Sequence, residues 1–515
     1  MRPREVIVVG GGIAGMACAA RLALTAGHGG MSIVMLTKAP VQGSSSYAAQ
    51  GGVAAVMDGG DSFERHIGDT LRVGEGRNDR RIVELVVRQA PAVIRELLAQ
   101  GARFDADADG HLLLAREGGH SAARVVHHLD RTGEEIVRVL RRQVRDEPSV
   151  TLMEGQRVVD LLVREGDERR CIGVRAIDLA TGDMHDRFAD AVVLATGGIG
   201  QVFMHTTNPP DATGDGIAMA VRAGVPVRDM AFVQFHPTAL HTGAQGQVPL
   251  ISEAVRGAGA RLLRHDGRPL MDGVHPSGDL APRNVVARAI QEEMRRSGLP
   301  YALLDAGPIG TARFMREFPA IDRDCRRIGL VPGRDPLPVM PAAHYLCGGI
   351  ATDDSGRTAL SGLYALGECA GTGLHGADRL ASNSLLEALV MPRRAADAIR
   401  EAPHCEGGSL PRRQWPSKLS RSAPTGALRA ISALRHAMSM HAGTLRDPEG
   451  LAMAMRMVAR CERALGPMWV RRRWSLELIN LRDLAAVARA VLEGALAEPV
   501  SAGTHHLVDR KPVEL

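Results

Sequence analysis

A glycine-rich loop near the start of the chain has the spacing of a nucleotide-binding turn. Gly10, Gly12 and Gly15 fit the pattern G-x-G-x-x-G. In such a loop the first glycine permits a tight turn, the second lets the backbone approach a pyrophosphate, and the third brings a helix close to a strand. The free N–H groups at the start of that helix then face the phosphates. The loop therefore predicts dinucleotide binding, and the alternative is an ordinary glycine turn.

The residues around the loop predict the strand–helix–strand unit that such a site requires. Residues 6–9 are a β-branched run, residues 13–26 are alanine-rich with a single charge, and residues 32–36 are a second apolar run. The unit closes within about 33 residues, the size of one βαβ unit. Thr37 and Lys38 end the second strand where an acidic residue normally holds the ribose hydroxyls. Glu368, which ends a later predicted strand, is a candidate for that task.

Length and composition predict an α/β protein of several domains. The 515 residues exceed what one hydrophobic core usually supports, and the chain is rich in alanine, valine and leucine but only 3% aromatic. Proline and glycine interrupt the pattern from about residue 235, and a segment dense in proline, glycine and serine follows residue 402. We expect a Rossmann-like nucleotide-binding domain in two parts, an inserted α+β capping domain, a linker and a C-terminal helical domain. Their ranges are 1–234 and 346–402, 235–345, 403–427, and 428–515, respectively.

The distribution of charge gives little support to nucleic-acid binding. The net charge is +5, but basic residues are interspersed with acids, and the only dense run is the arginines at 471–473 beside Trp474. A solvated helix face explains that run better than a partner site does. The apolar run before Gly10 is too short for a signal peptide, and no stretch reaches the roughly 18 apolar residues of a membrane span. We therefore expect a cytoplasmic protein without membrane or nucleic-acid partners.

The cysteines are odd in number and widely spaced, without a Cys-x-x-Cys pair. This pattern argues against zinc, iron–sulfur ligation or a disulfide framework, so we expect no metal. The seven are Cys18, Cys171, Cys325, Cys347, Cys369, Cys405 and Cys461.

Five further segments, taken in chain order, resemble one enzyme superfamily. They are GSSSYAAQGG (43–52), ATGG (195–198), TGDGIAMA (213–220), LYALGE (363–368) and ASNSLLEAL (381–389). Together they are similar to the superfamily of succinate dehydrogenase, fumarate reductase and L-aspartate oxidase. The match is strong to about residue 400 and moderate in the helical domain. In that superfamily the segments surround FAD, so the resemblance implies FAD as the dinucleotide.

The resemblance implies that the glycine-rich loop and these segments line the cofactor. The implied residues are Gly10, Gly11, Gly12, Ile13, Ala14, Gly15, Lys38, Ser44, Ser45, Ser46, Tyr47, Ala48, Ala49, Gln50, Gly51, Gly52, Val159, Thr196, Gly197, Gly198, Asp215, Glu368, Ser384 and Leu385. Respiratory members attach FAD covalently through a histidine just before the A-x-G-G segment, where this sequence has Ser45. A serine cannot form the histidyl bond, so we predict non-covalent FAD.

The same resemblance implies a dicarboxylate site. Dehydrogenating a four-carbon diacid needs cations for two carboxylates, a group that takes a proton, and a flavin N5 that takes hydride. His236 in QFHPTAL, His344 in PAAHYLCGG and Arg379 in HGADRLASNS match residues that hold the carboxylates, and arginine suits bidentate contact. Ser252 stands where the family has a threonine, and its hydroxyl is expected to keep that contact.

Arg283, in LAPRNVVARAI, matches the group that donates and accepts the proton. A guanidinium normally stays protonated, with a pKa of about 12 or more, so it needs help. Glu253 and Arg256, in SEAVRGAG, match a proton relay of the fumarate reductases. The alternative interpretation of these residues is a structural ion-pair network.

Glu117 distinguishes between substrates. It lies in AREGGH, which resembles the aspartate oxidases, whereas the succinate and fumarate enzymes have an apolar residue, typically phenylalanine, at this point. A buried carboxylate would repel a dicarboxylate unless the ligand carried a compensating positive charge. The resemblance thus implies FAD-dependent oxidation of L-aspartate to iminosuccinate, with O2 or fumarate reoxidising the flavin. It further implies a role in de novo NAD biosynthesis, with the product passed to quinolinate synthase.

Two rival functions remain. One is the flavoprotein subunit of a succinate dehydrogenase or fumarate reductase, which would dock on an iron–sulfur partner, and Ser45 and Glu117 both oppose it. The other is a non-catalytic flavin or nucleotide-binding module, which would leave the histidines and arginines above without a purpose. The C-terminal segment keeps Ser501, Gly503, His505 and Asp509 of the aspartate oxidases but lacks their arginine before the glycine and their aromatic residue after the aspartate.

Overall fold

A computed structural model describes residues 3–26, 30–166, 168–402, 418–420, 426–470 and 474–508 of the chain. Cys405, the arginine run at 471–473, Asp509 and most of the predicted linker lie outside these residues.

The strands are β1 Arg4–Val9, β2 Met31–Thr37, β3 Val53–Ala54, β4 Leu114–Ala115, β5 Val125–Val126, β6 Val150–Glu154, β7 Gln156–Arg164, β8 Arg170–Asp178, β9 Met184–Phe188, β10 Ala191–Leu194, β11 His205–Thr206, β12 Val227–Arg228, β13 Val233–Leu240, β14 Gly246–Gln247, β15 Arg261–Leu263, β16 Ala302–Asp305, β17 Leu337–Leu346, β18 Gly349–Ala351, β19 Leu363–Ala365 and β20 Ala370–Gly371. The α-helices are α1 Ile13–Ala26, α2 Phe63–Val73, α3 Arg80–Ala99, α4 Thr132–Asp146, α5 Asp215–Arg222, α6 Glu253–Gly257, α7 Arg283–Ser297, α8 Thr311–Glu317, α9 Pro319–Arg327, α10 Asn383–Glu401, α11 Ala427–His441, α12 Pro448–Val470 and α13 Leu476–Ala497.

The first sheet is parallel and carries the predicted nucleotide-binding unit. Its five strands run in the order β19-β10-β1-β2-β6, and each neighbouring pair is parallel. Helices cover such a sheet on both faces, which explains why its strands are apolar runs rather than alternating ones. The predicted βαβ unit is present as β1, α1 and β2. Because β1 is central, the turn after it opens at the carboxyl edge of the sheet, where ligands of such folds bind.

A second sheet, mostly antiparallel, is built between residues 205 and 346. It has the order β14-β11-β17-β16-β15, with β13 paired antiparallel to β17. A separate buried cluster, which includes Leu304, Phe314 and Leu337, packs α7, α8 and α9 against it. This arrangement has the α+β character predicted for the inserted segment, although β11 joins the sheet from before residue 235. The boundaries of the domains stay a prediction.

The C-terminal part is helical, as its sequence predicts. Helices α11, α12 and α13 pack on one another and share one buried cluster with α5 and β13. Leu434, Leu478 and Val487 contribute to this cluster. Within the described part of the chain, no helix combines the length and the apolar character needed to cross a bilayer.

Candidate active site

One long cleft joins the edge of the parallel sheet to the second sheet. It extends from the glycine-rich loop after β1 to side chains of β13, β17 and α7. Residues from all five segments that carry the family resemblance line it. The cleft therefore brings together parts of the chain that are up to 379 positions apart, from Val9 to Ala388.

The glycine-rich loop has the geometry that its spacing predicts. Gly10 has a φ of +118°, and a side chain on it would begin 2.1 Å from the carbonyl oxygen of Ala195. A side chain on Gly15 would begin 2.1 Å from the carbonyl oxygen of Gly10. Gly12 instead borders open cleft, with the Ser46 hydroxyl at 3.1 Å as its nearest neighbour. The first and third glycines thus permit close packing of strand and helix, and the second leaves room for a pyrophosphate.

Most of the predicted cofactor residues line the cleft, and four do not. Ile13 begins α1 with its side chain buried in the core, Gly15 packs on Gly10, and Tyr47 faces a separate groove beside α4. The side chain of Val159 packs with Ile177 and Ile479 instead. Strand β7 bulges just there, between Val158 and Asp160, and Val158 lines the cleft. The sequence predicts this strand but not its bulge, which places the side chain of Val158, and not that of Val159, on the face toward the cleft.

Two residues bear on the ribose and lie in different parts of the cleft: Lys38, which stands where an acid is expected, and Glu368, the candidate to replace that acid. Lys38 Nζ is 2.7 Å from Asp215 Oδ2 and 3.0 Å from Thr213 Oγ1, which ties the end of β2 to the start of α5. Glu368 follows β19, which lies two positions from β1 on the side away from β2. This strand order does not place Glu368 at the end of the second strand, so it does not favour the ribose role.

Glu368 instead packs against the glycine segment 195–198. Its Oε1 accepts a hydrogen bond of 3.0 Å from the backbone N–H of Leu346, and a side chain on Gly198 would begin 2.0 Å from the same atom. Burial raises the pKa of Glu368 to about 7, partly offset by the Leu346 N–H and by Arg379. This carboxyl is therefore fixed where the parallel sheet meets the second sheet.

At the far end of the cleft, two histidines face each other from paired strands. His236 is on β13 and His344 is on β17, and their ring centroids are 5.1 Å apart. Burial first, and then nearby arginines, hold the pKa of both rings well below 6.5, so both are neutral. The backbone N–H of Thr238 donates to His236 Nδ1 at 3.3 Å, which leaves the ring proton on Nε2. His236 can therefore donate a hydrogen bond to a carboxylate.

Arg283, Glu253 and Arg256 form a buried row beside the histidines. Arg283 Nε donates to Glu253 Oε2 at 2.8 Å, and Arg256 Nη2 lies 3.6 Å from Glu253 Oε1. Burial raises the pKa of Glu253, but the two guanidinium groups outweigh burial and the pKa lies below its usual value. Arg256 does not line the cleft and contacts the carbonyl oxygen of Asp279. A side chain on Gly118 would begin 1.9 Å from Glu253 Oε1, so only glycine leaves room for this carboxylate.

Gln234 links the two arginines of the cleft and was not predicted. Its Oε1 accepts hydrogen bonds of 3.1 Å from Arg283 Nη1 and from Arg379 Nη2. Its amide nitrogen donates to Asp378 and to the carbonyl oxygen of Arg379. Gln234 lies two residues before His236 on one strand, and side chains at that spacing share a face. That alternation is the sequence signal that could have identified it.

Arg379 is held from several sides. Its Nη1 donates to the Ser384 hydroxyl, and its guanidinium carbon lies 4.3 Å from the centroid of the Tyr345 ring. Burial lowers the pKa of Arg379, and the charge of Arg283 lowers it further. These contacts keep a planar cation in one orientation, which suits bidentate binding of a carboxylate.

Glu117 lines the same cleft and is buried, with only 7% of the residue exposed. The Ser382 hydroxyl donates to Glu117 Oε2 at 2.6 Å. In the described part of the chain, no lysine, arginine or histidine nitrogen comes within 4.0 Å of this carboxylate. Burial and the charge of Glu253 raise its pKa above the usual value, against the opposing effect of Arg283, Ser382 and Arg379. The site thus presents a buried acid that lacks a cationic partner of its own.

Comparison with known proteins shows the family of this chain. A model of the FAD binding domain family matches residues 5–385. L-aspartate oxidase 1 of Ralstonia nicotianae is 40% identical over 509 residues, which cover 97% of this chain and 94% of that protein. The L-aspartate oxidase of Streptomyces coelicolor is 41% identical over 526 residues, or 97% and 88% of the two chains. The chain belongs to the L-aspartate oxidase family of FAD-binding flavoproteins.

Solved structures of related enzymes have the same fold. An E. coli quinol fumarate reductase variant superposes with a TM-score of 0.88 at 28% identity, covering 99% of this chain and 93% of that one. Mycobacterium smegmatis Sdh1 superposes with a TM-score of 0.80 at 30% identity, covering 98% and 88%. The family resemblance, the α/β fold class and FAD as the cofactor are therefore confirmed. The role of each residue in the cleft stays a prediction.

Proposed function

We propose that this protein oxidises L-aspartate to iminosuccinate with FAD as the electron acceptor. The observation that carries the proposal is the buried Glu117 carboxylate, which has no cationic partner of its own in the described part of the chain. An α-ammonium group would neutralise it, whereas succinate and fumarate carry no such group. A buried charge is tolerated only when it is paired, so Glu117 favours an amino diacid.

The two carboxylates of the substrate are proposed to lie opposite Glu117, on Arg379 and on the pair His236 and His344. Arg379 offers a fixed, charged fork, and His236 offers an Nε2–H donor. The hydroxyl of Ser252 lines the same cleft, although it also caps α6 by accepting from the Ala254 N–H at 3.2 Å. Aspartate then fits with its ammonium group on Glu117, one carboxylate on the Arg379 cation and the other on the two neutral histidines.

Arg283 is proposed to move the proton that accompanies oxidation. It begins α7 and lines the cleft, and Glu253 holds its Nε. In oxidation the proton would pass outward, from Arg283 through Glu253 to Arg256, and in reduction of fumarate it would pass inward. Burial lowers the pKa of Arg256, which favours the inward direction. Arg283 is hydrogen-bonded to Glu253, and Arg256 lies 3.6 Å from Glu253 on the side away from the cleft, so the row would carry protons between the substrate and the interior without opening the site.

FAD, when bound, supplies the acceptor for the hydride that leaves Cα of the substrate. The N–H groups after β1, the space at Gly12 and the glycines of residues 43–52, which line the cleft, would hold it. Reoxidation is proposed to use O2 or fumarate, since fumarate offers the same two carboxylates to Arg379 and the histidines. Transfer of iminosuccinate to quinolinate synthase would place the reaction in de novo NAD biosynthesis.

The alternative is the flavoprotein subunit of a succinate dehydrogenase or fumarate reductase. The solved structures above are of that kind, and the dicarboxylate residues serve either reaction. Glu117 and Ser45 both argue for the amino diacid instead. The assay that separates the two supplies purified protein with L-aspartate or succinate, with O2 or fumarate as acceptor. We expect L-aspartate to yield hydrogen peroxide with O2 and succinate with fumarate, and turnover of succinate alone would support the alternative.

The attachment of FAD gives a separate prediction. Ser45 lines the cleft at the position of the family's histidyl bond, and a serine hydroxyl cannot replace the imidazole nitrogen. We expect acid precipitation of the yellow protein to release all flavin into the supernatant, measured by its absorbance. Flavin that stays with the precipitated polypeptide would contradict non-covalent binding.

A further inference from the structure

A second set of buried charges lies behind Glu117, and the proposed chemistry does not use it. The Arg124 side chain is fully buried. Its Nε and Nη2 donate to the two carboxylate oxygens of Asp61 at 2.6 and 2.9 Å, and its Nη1 donates to Asp69 Oδ2 at 2.6 Å. Asp69 also accepts from the backbone N–H and the hydroxyl of Ser121. Such a fully bonded cluster holds its members in one arrangement.

The cluster fixes the protonation of His120. Arg124 Nη1 lies 3.0 Å from His120 Nδ1, and a guanidinium can only donate, so Nδ1 carries no proton. The ring proton is therefore on Nε2, which donates to the carbonyl oxygen of Ala381 at 3.0 Å. Burial, together with Arg124, lowers the pKa of His120 to about 4, so the ring stays neutral. His120 thus makes one defined hydrogen bond to the backbone just before Ser382.

Ser382 needs such support because its backbone is in an uncommon conformation. Its φ is +63°, the left-handed region that residues other than glycine rarely adopt. The Ala54 N–H donates to its carbonyl oxygen at 3.1 Å, and the next residue, Asn383, is held by His66 at 2.9 Å and by Thr70 at 3.0 Å. This conformation directs the Ser382 hydroxyl at Glu117, where it donates to Oε2.

We propose that His120 is a positioning residue for recognition of the substrate's amino group. Arg124 fixes the tautomer of His120, and His120 fixes the carbonyl of Ala381. Ser382 is thereby held with its hydroxyl on Glu117, which leaves the other carboxylate oxygen, Oε1, to accept from the ammonium group. The inference rests on the proposed function and adds the residues that give Glu117 its orientation.

This role predicts an effect on one substrate and not on another. The ammonium group of L-aspartate needs an oriented Glu117, whereas fumarate has no group that binds there. In the described part of the chain, the side-chain hydrogen bonds of His120 are with Ala381 and Arg124, and not with His236, His344 or Arg379, which are proposed to hold the carboxylates. Loss of the His120 hydrogen bonds should therefore raise KM for L-aspartate and leave KM for fumarate nearly unchanged.

The test compares His120→Leu, which removes both hydrogen bonds, with His120→Gln, which can keep a donor and an acceptor. We expect His120→Leu to raise KM for L-aspartate about tenfold or more, because the charge-assisted hydrogen bond between Glu117 and the ammonium group of the substrate is lost. The values of kcat and of flavin content should change much less. His120→Gln should restore most of the affinity. His111→Leu, on an exposed loop of the same segment, is the matched control. Fumarate reduction, driven by a reduced viologen, is measured on each variant.

A second measurement separates positioning from simple stability. In a double-mutant cycle with Ser382→Ala, the effects of His120→Leu and Ser382→Ala on KM for L-aspartate should not add, because both act through one hydrogen bond to Glu117. Additive effects, or equal losses with L-aspartate and fumarate, would overturn the positioning role. If the unaltered protein does not oxidise L-aspartate at all, the proposed function fails instead, and the two failures are distinct.

Discussion

Arg283→Lys is expected to slow reduction of the flavin by L-aspartate about a thousandfold, the range of a lost proton-transfer group. Arginine reaches Glu253 through Nε and Gln234 through Nη1 at once. A lysine carries one terminal nitrogen and cannot make both contacts in the same orientation. The rate is measured by anaerobic stopped-flow absorbance of the flavin after mixing with substrate.

Arg295→Lys is the control for this change, because Arg295 lies on the same helix with its side chain exposed. Its rate should match that of the unaltered protein. Fumarate reduction should fall with Arg283→Lys as steeply as aspartate oxidation, since both directions pass a proton through the same group. A variant that keeps more than about a tenth of the rate would show that Arg283 is not the proton-transfer residue.

Glu117→Gln is expected to lower kcat/KM for L-aspartate about a hundredfold, because an ammonium group then lies in a buried site without a countercharge. Glutamine has the same shape, and its amide oxygen can still accept from the Ser382 hydroxyl. Fumarate reduction should survive within about threefold, since that ligand carries no cation to pair. Equal loss of both activities would contradict the assignment of Glu117 to the amino group.

The acidic side of the pH profile tests the same residue. Burial and Glu253 raise the pKa of Glu117, and only the ionised form holds the ammonium group. As pH falls through that raised pKa, kcat/KM for L-aspartate should therefore decline at a higher pH than for an ordinary glutamate. Glu117→Gln should remove this decline. Asp378, with its pKa raised to about 6, and Glu368 titrate nearby, so the profile for fumarate reduction serves as the reference.

The sequence predicts the parts of the site that local patterns determine. The β1–α1–β2 unit follows from apolar runs and the three glycines, since strand, turn and helix are each fixed within a few residues. The motifs around His236 and His344 predicted residues of one site, and the structure places them on paired strands. In these cases each segment carries its own signal.

Other features depend on contacts between distant segments, and a single sequence does not show them. Arg124 and Asp61 are 63 positions apart, and His120 meets Ala381 across 261 positions. Glu368 shows that a sequence does not reveal the order of strands in a sheet, because β19 lies on the opposite side of β1 from β2. Val159 shows that a sequence does not reveal which face of a strand a side chain lies on, because a bulge in β7 turns the Val159 side chain away from the cleft. Both features depend on tertiary pairing rather than on the type of element, and the roles of these residues stay a prediction.

The most direct test of the central claim is an anaerobic mixture of the purified yellow protein with L-aspartate, D-aspartate or succinate, one ligand at a time. The flavin absorbance reports reduction without any added acceptor. We expect L-aspartate to bleach the flavin rapidly, while D-aspartate and succinate bleach it far more slowly, because only L-aspartate places its ammonium group on Glu117 with Cα correctly oriented. Rapid bleaching by succinate, with L-aspartate inactive, would contradict the proposed function.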